Sequence, residues 1–208
     1  MYVNPYDNES TEPGPISGML DIWRDALISP SDGTYQRLAN DPKASIWHIP
    51  IWFLGSLAIG YGLTLFIATL RQGTFPWLLA LAIPFNYLMI VFLFIIGTAF
   101  TQVTARMIGG TGNYKELFYA LSTFVAPMLL LSIIASAIPA ISTSLSFFCN
   151  LYTLILAVIA TKAIHRFGWL KALLAVSPSI IIGLALYAAA LAFIAFAAQQ
   201  TNFSQFFG

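Results

Sequence analysis

The segment of this chain with the most chemical promise is Arg106-Met-Ile-Gly109-Gly110-Thr111-Gly112-Asn113-Tyr114-Lys115-Glu116. Closely spaced glycines permit backbone angles that other residues avoid, and the freed N–H groups of such a loop can cradle a phosphate. A phosphate-binding loop, however, needs G-x-x-x-x-G-K-[ST] after a strand, and a dinucleotide loop needs a βαβ unit. Neither frame surrounds these glycines. The favoured reading is a tight link followed by a helix start, with Asn113 as N-cap and Glu116 three residues on closing a capping box.

Other reactive side chains are sparse. The histidines are His48 and His165, and the single cysteine is Cys149. No H-x-x-x-H, H-E-x-x-H or Cys/His cluster is present, so no metal site is expected. Cys149 is predicted near the membrane face opposite both histidines, which excludes a Cys–His nucleophile pair. No pair of carboxylates lies within the apolar blocks for acid–base work. His48 reads as an interfacial residue, and His165 as part of a basic link facing lipid head groups. No catalytic residue and no cofactor follow from this pattern.

The elements that carry these residues are set by where the charges stop. The chain has 208 residues, 59% apolar and 8% charged, with a net charge of +1, and a mean hydropathy of +0.81. A soluble domain carries about a quarter charged residues. The near-neutral balance gives no pull toward nucleic acid. All the acidic residues except Glu116 lie at or before Asp41, and from Ile46 onward the chain forms five long apolar blocks with charges only in the links. A membrane-spanning helix needs about 20 apolar residues. The blocks are Ile46–Leu70, Trp77–Val103, Leu117–Ile138, Leu145–Thr161 and Ala172–Ala198, the fourth being short. Runs such as Leu88 to Ile96 are apolar on both parities, which a barrel strand would not be. The expected fold is therefore all-α: a polytopic membrane protein with five transmembrane helices and an N-terminal cytoplasmic amphipathic helix.

Orientation follows from the links. Arg24, Arg37, Lys43, Arg106, Lys115, Lys162, Arg166 and Lys171 fall on one side, and Arg71 alone on the other. The positive-inside rule places the N-terminus in the cytoplasm and the C-terminus outside. Trp47, Trp77 and Trp169 fall near span ends, where aromatic rings prefer to sit. The N-terminus lacks a basic region before a short apolar core, so the first span is expected to direct insertion itself.

Residues 1–15 read as a polar tail and 16–45 as a cytoplasmic segment before the 46–198 bundle; 199–208 read as a short extracytoplasmic tail. Ile16, Met19, Leu20, Trp23 and Leu27 recur at helical spacing, with Asp21, Arg24 and Asp25 on other faces. This amphipathic helix ends at Pro30. Its polar face is slightly acidic, which favours docking on the bundle over adsorption to anionic lipid. A second helical turn is expected from Ser31 or Asp32 through Tyr35 and Leu38. Ser56/Gly60, Ala58/Gly62, Ala185/Ala189 and Ala188/Ala192 are small-xxx-small pairs, which let helix backbones approach within the bundle or across a dimer. Pro84, Pro127 and Pro178 each remove a backbone donor and release the carbonyl four residues earlier. Ser122 and Thr123 are placed to help satisfy the groups freed near Pro127.

Several landmarks together resemble the Yip family, integral membrane proteins named for interaction with Ypt/Rab GTPases. Leu27-Ile-Ser-Pro30, Tyr35, Leu38 and Asp41-Pro42 look like its pre-membrane segment. Gly109-Gly110-Thr111-Gly112, Tyr114-Lys115, Leu117-Phe118, Ser122 and Pro127 look like its central signature, and Trp169-Leu170-Lys171-Ala172 with Pro178 like the entry to its last helix. The resemblance covers roughly residues 19–195. It implies five helices with the N-terminus cytoplasmic, and in eukaryotic relatives roles in vesicle traffic, organelle shape and Rab binding. The short N-terminal segment and the missing Asp-Leu-Tyr-Gly-Pro type motif are departures that point to a bacterial or archaeal plasma membrane. Rab binding is not carried over.

The expected function is that of a non-enzymatic scaffold, membrane-organising protein or accessory subunit. It would pack against lipid, another membrane protein or a second copy of itself, with Trp23, Leu27, Gly109, Gly110, Gly112 and Tyr114 as interaction residues. The alternative is a transporter or channel for a small neutral or lipidic solute, with Pro84, Asn86 and Pro127 along its path. An intramembrane enzyme, the third possibility, would have to rest on His48 or His165.

Overall fold

The computed structural model describes residues 15–41, 45, 47–136, 138 and 142–207, and they contain seven α-helices. Of the polar tail expected over residues 1–15, Pro15 opens a helix and residues 1–14 lie outside the described residues, as do 42–44, Ile46 and most of the third link.

Two short helices precede the bundle. Helix α1 spans Pro15–Ile28, starting on a proline, which suits a first helical position. It stops before Pro30, whose ring disfavours helical geometry in the preceding residue. Helix α2 spans Asp32–Ala39. Ser31 caps it, its hydroxyl accepting from the Thr34 N–H at 3.1 Å. Asp32 in its first turn and Arg37 in its last complement the helix dipole.

Five helices are long and apolar enough to cross a membrane. They are α3 (His48–Gln72), α4 (Trp77–Met107), α5 (Tyr114–Ser136), α6 (Ser142–His165) and α7 (Trp169–Phe207). The fourth span is not short. It runs 24 residues, because the small hydroxyl residues before Leu145 and the basic turn after Thr161 both join the helix. The last helix continues through 199–207, where a tail was expected, because no proline or glycine occurs between Gly183 and Gly208.

Helix α5 is the centre of the bundle. Its most apolar window is 67% buried, against 17–39% for the other four spans. It packs against α3, α4 and α6, while α7 closes the other side by packing on α4 and α6. The remaining outer surfaces carry large apolar side chains such as Phe66, Phe85, Phe92 and Leu184. Such a surface is stable in hydrocarbon and unstable in water.

Hydroxyl side chains tie into the helices. Thr64, Thr69 and Thr153 donate to the carbonyls of Gly60, Leu65 and Cys149. Ser122 and Thr123 donate instead to Tyr119 and Ala120, a turn before the Thr123 carbonyl that Pro127 releases. The expected compensation occurs at Pro178, where the Ser177 hydroxyl donates to the freed Leu174 carbonyl at 2.9 Å. Small residues divide too. Ser56 and Gly60 are buried, and a Cβ on Gly60 would lie 2.8 Å from Ile133 of α5. Ala58, Gly62, Ala185, Ala188, Ala189 and Ala192 are exposed and mediate no packing inside the bundle.

Candidate functional site

One end of the bundle gathers α1, α2, the 108–113 glycine link and the 166–168 link. Helix α1 faces inward with Ala26, fully buried, and Trp23. Trp23 joins Trp52 and Phe53 of α3 and Phe118 and Tyr119 of α5 in one apolar cluster. Leu20, expected on the buried face, is 55% exposed because Ile22 takes the inner position. Helix α2 buries Tyr35 completely, with its ring edge on Phe124 at 5.8 Å and its hydroxyl donating to the Ala26 carbonyl at 3.0 Å. Burial, aided by nearby Tyr152, pushes the Tyr35 phenol well above its ordinary range, so it remains a hydrogen-bond donor.

Polar contacts fasten this cap to α6. The Tyr152 hydroxyl donates to the Leu27 carbonyl. Gln36 donates from Nε2 to the Ala163 carbonyl at 3.0 Å. Lys162 pairs with Asp32 and also lies 4.8 Å over the Trp169 ring. None of these long-range partners was visible in the sequence. Lys162 read as a basic link residue, and a separation of more than a hundred positions between partners carries no local signal. On the outer side, Arg37 meets Asp25 at 2.7 Å, an exposed pair of small energetic weight.

The glycine link is a structural joint. Gly109 has φ +93, and its N–H and that of Gly110 donate to the carbonyls of Arg106 and Ala105. This pair of bonds is a Schellman stop to α4. Gly110 and Gly112 are buried against the end of α6. A Cβ on Gly110 would sit 2.5 Å from His165 Nδ1, and one on Gly112 would sit 2.6 Å from the Ile164 carbonyl oxygen. Gln102 of α4 donates to the Gly112 carbonyl at 3.1 Å. The expected capping box then opens α5: Glu116 N–H donates to Asn113 Oδ1 at 2.9 Å, and Asn113 N–H to Glu116 Oε2 at 3.3 Å. Tyr114 stacks on Phe118 and donates to the Ile95 carbonyl at 3.2 Å.

His165 departs most from expectation. Rather than facing head groups, it is 1% exposed, stacked on Phe167 at 5.4 Å beneath Gly110. The helix ends there by a second Schellman-type turn: Phe167 N–H donates to the Lys162 carbonyl, with Arg166 at φ +56. That turn sends Arg166 outward and leaves the imidazole inside. Neither ring nitrogen has a hydrogen-bond partner among the described residues.

Of the interaction residues expected from sequence, Trp23, Gly110 and Gly112 are buried, Leu27 and Tyr114 are half-buried, and Gly109 is exposed. Trp23 and Tyr114 share one cluster; Gly110 and Gly112 meet the end of α6. The residues this end turns outward include Leu20, Ile28, Met107, Arg106, Lys115, Arg166 and Lys171. Pro84 and Asn86 are exposed on α4, with Asn86 accepting from Tyr61, while Pro127 is buried in α5. Exposure thus separates the first two from the third. No group of three or more His, Cys, Asp or Glu among the described residues could hold a metal. His165 and Cys149 are 16 positions apart on α6, about 24 Å at 1.5 Å per residue, and form no pair.

Five spans and a capped, glycine-jointed end define a polytopic α-helical membrane protein. The family model of the Yip1 domain matches residues 24–195, and the chain belongs to that family. No curated protein and no solved structure matches it.

Proposed function

We propose that the protein is a non-enzymatic scaffold or accessory subunit of a prokaryotic plasma membrane. It packs laterally against another membrane protein or a second copy of itself, and its capped end meets lipid head groups. The observation that carries this reading is the contrast between a well-packed α5 and the outer helices around it. The windows of α3, α4 and α7 are only 28%, 22% and 17% buried, and exposed small pairs such as Ala58/Gly62 leave room for a close partner helix.

The capped end is taken as cytoplasmic, since among the described residues it carries every Lys and Arg but Arg71. Exposed Arg106, Lys115, Arg166 and Lys171 there suit the anionic inner leaflet. Trp23, Leu27, Gly110, Gly112 and Tyr114 serve this function from within, by holding the cap and joint in place. The mass of the assembly extracted from native membrane tests the reading.

A further inference from the structure

Two adjacent spaces lie where α4 meets α7. The first is a groove of about 480 Å³ walled by Met89, Leu93, Ile96, Ile182 and Leu186. It shares the wall residues Leu93, Gly97 and Ser179 with a second space of about 190 Å³, bounded by residues of α4, α5, α6 and α7. Thr98, Thr101 and Thr161 are among the residues that line this inner space.

The hydroxyls differ in one respect. Thr101 and Ser179 are 2.7 Å apart, and both reach the Gly97 carbonyl. Thr98 and Thr161 are 2% and 0% exposed, and their hydroxyl oxygens have no partner. Thr64, Thr69 and Thr153 all bond the carbonyl four residues back, as helical threonines commonly do. A buried hydroxyl without a partner is costly, more so where no bulk water reaches it. Two of them, on different helices and carried by residues that line one space, ask for a ligand with a hydrogen-bonding group.

We infer that this space binds a neutral lipid. Its alkyl chain lies in the groove between α4 and α7, and its uncharged polar end, a hydroxyl or carbonyl, hydrogen-bonds to Thr98 and Thr161. No charged side chain lines either space, so a phosphate head would be buried without a cation. Met89, Leu93 and Leu186 are exposed on the outer surface, so a chain enters sideways from the bilayer. Glycines keep the entrance open: a Cβ on Gly183 would meet nothing within 4 Å, and one on Gly97 only the Ser179 Cβ at 4.0 Å. This site lies between the spans, apart from the capped end, and stands whether or not the scaffold reading holds.

The test is photolabelling of the full-length protein in mild detergent with a diazirine-bearing hexadecanol, alongside hexadecyl phosphate carrying the same diazirine. The alcohol is expected to label peptides of α4 and α7. Gly183→Leu starts from a Cβ that meets nothing within 4 Å, adds bulk at the groove and should reduce this labelling by about tenfold or more. The near-isosteric pair Thr98→Val with Thr161→Val should reduce it comparably, with thermal stability retained. The phosphate probe should label at background. Labelling that is unchanged in both variants, spread equally onto α3, or as strong with the phosphate would overturn the assignment. Unchanged labelling is also what a cavity holding only water would give.

Discussion

Gly110 lies directly over the His165 ring, so close that a Cβ there would come within 2.5 Å of Nδ1 and 2.8 Å of the Ala105 carbonyl oxygen. The ring could shift, but the backbone carbonyl cannot. Gly110→Ala is therefore expected to destabilise the protein by about 1–3 kcal/mol through overpacking. Gly109→Ala carries only the conformational cost of φ +93, about 1–2 kcal/mol. Gly168→Ala meets nothing within 4 Å and serves as control. Thermal unfolding in detergent should rank Gly168→Ala above both link variants. A Gly110→Ala protein as stable as the control would mean the joint is looser than described.

Arg166 holds a left-handed backbone angle, φ +56, at a position where glycine is the usual residue. Arg166→Gly is expected to raise thermal stability by about 1 kcal/mol, the strain relieved. Arg166→Ala removes the same charge without relieving the strain, so it should give no gain. Equal stabilisation by both substitutions would assign the effect to charge instead.

The Ser177 hydroxyl satisfies the Leu174 carbonyl that Pro178 leaves open. Ser177→Ala alone should cost about 1 kcal/mol. In a Pro178→Ala background the backbone N–H returns, and the cost of Ser177→Ala should shrink toward zero. A double-mutant cycle measures this coupling. Additive effects would show that the hydroxyl does not compensate for the proline.

The charge alternation predicts which side each end occupies. A reporter fused after Gly208 should read extracytoplasmic, and one fused before Met1 cytoplasmic. A cytoplasmic signal from the C-terminal fusion would contradict the odd number of spans.

Much of the fold was legible because a bilayer imposes simple rules. The five apolar blocks, Trp47, Trp77 and Trp169 near the span ends, and the Asn113/Glu116 box all follow from local pattern, and all five spans are present as helices. Span ends were harder to read. Ser142 to Ser144 and Lys162 to His165 look like link residues, yet they belong to α6, since helix propensity and capping decide the end as much as polarity. The site was less legible. His165 looked like a surface residue because it follows basic Lys162 and precedes Arg166. Its burial depends on the positive φ of Arg166 and on Gly110, from a link more than fifty positions away. The joint's glycines were visible as glycines, but nothing local said what they would touch. The groove between α4 and α7 left no mark in the sequence, because Gly97 and Gly183 only acquire meaning once the two helices are side by side.

The scaffold reading is tested most directly by the mass of the particle extracted from native membranes in several mild detergents, measured by native mass spectrometry. One chain weighs 22.8 kDa. The account predicts a particle that contains a second polypeptide in fixed stoichiometry, either another membrane protein or a further copy of this chain. A single 22.8 kDa chain carrying at most lipid, in every detergent tried, would contradict it.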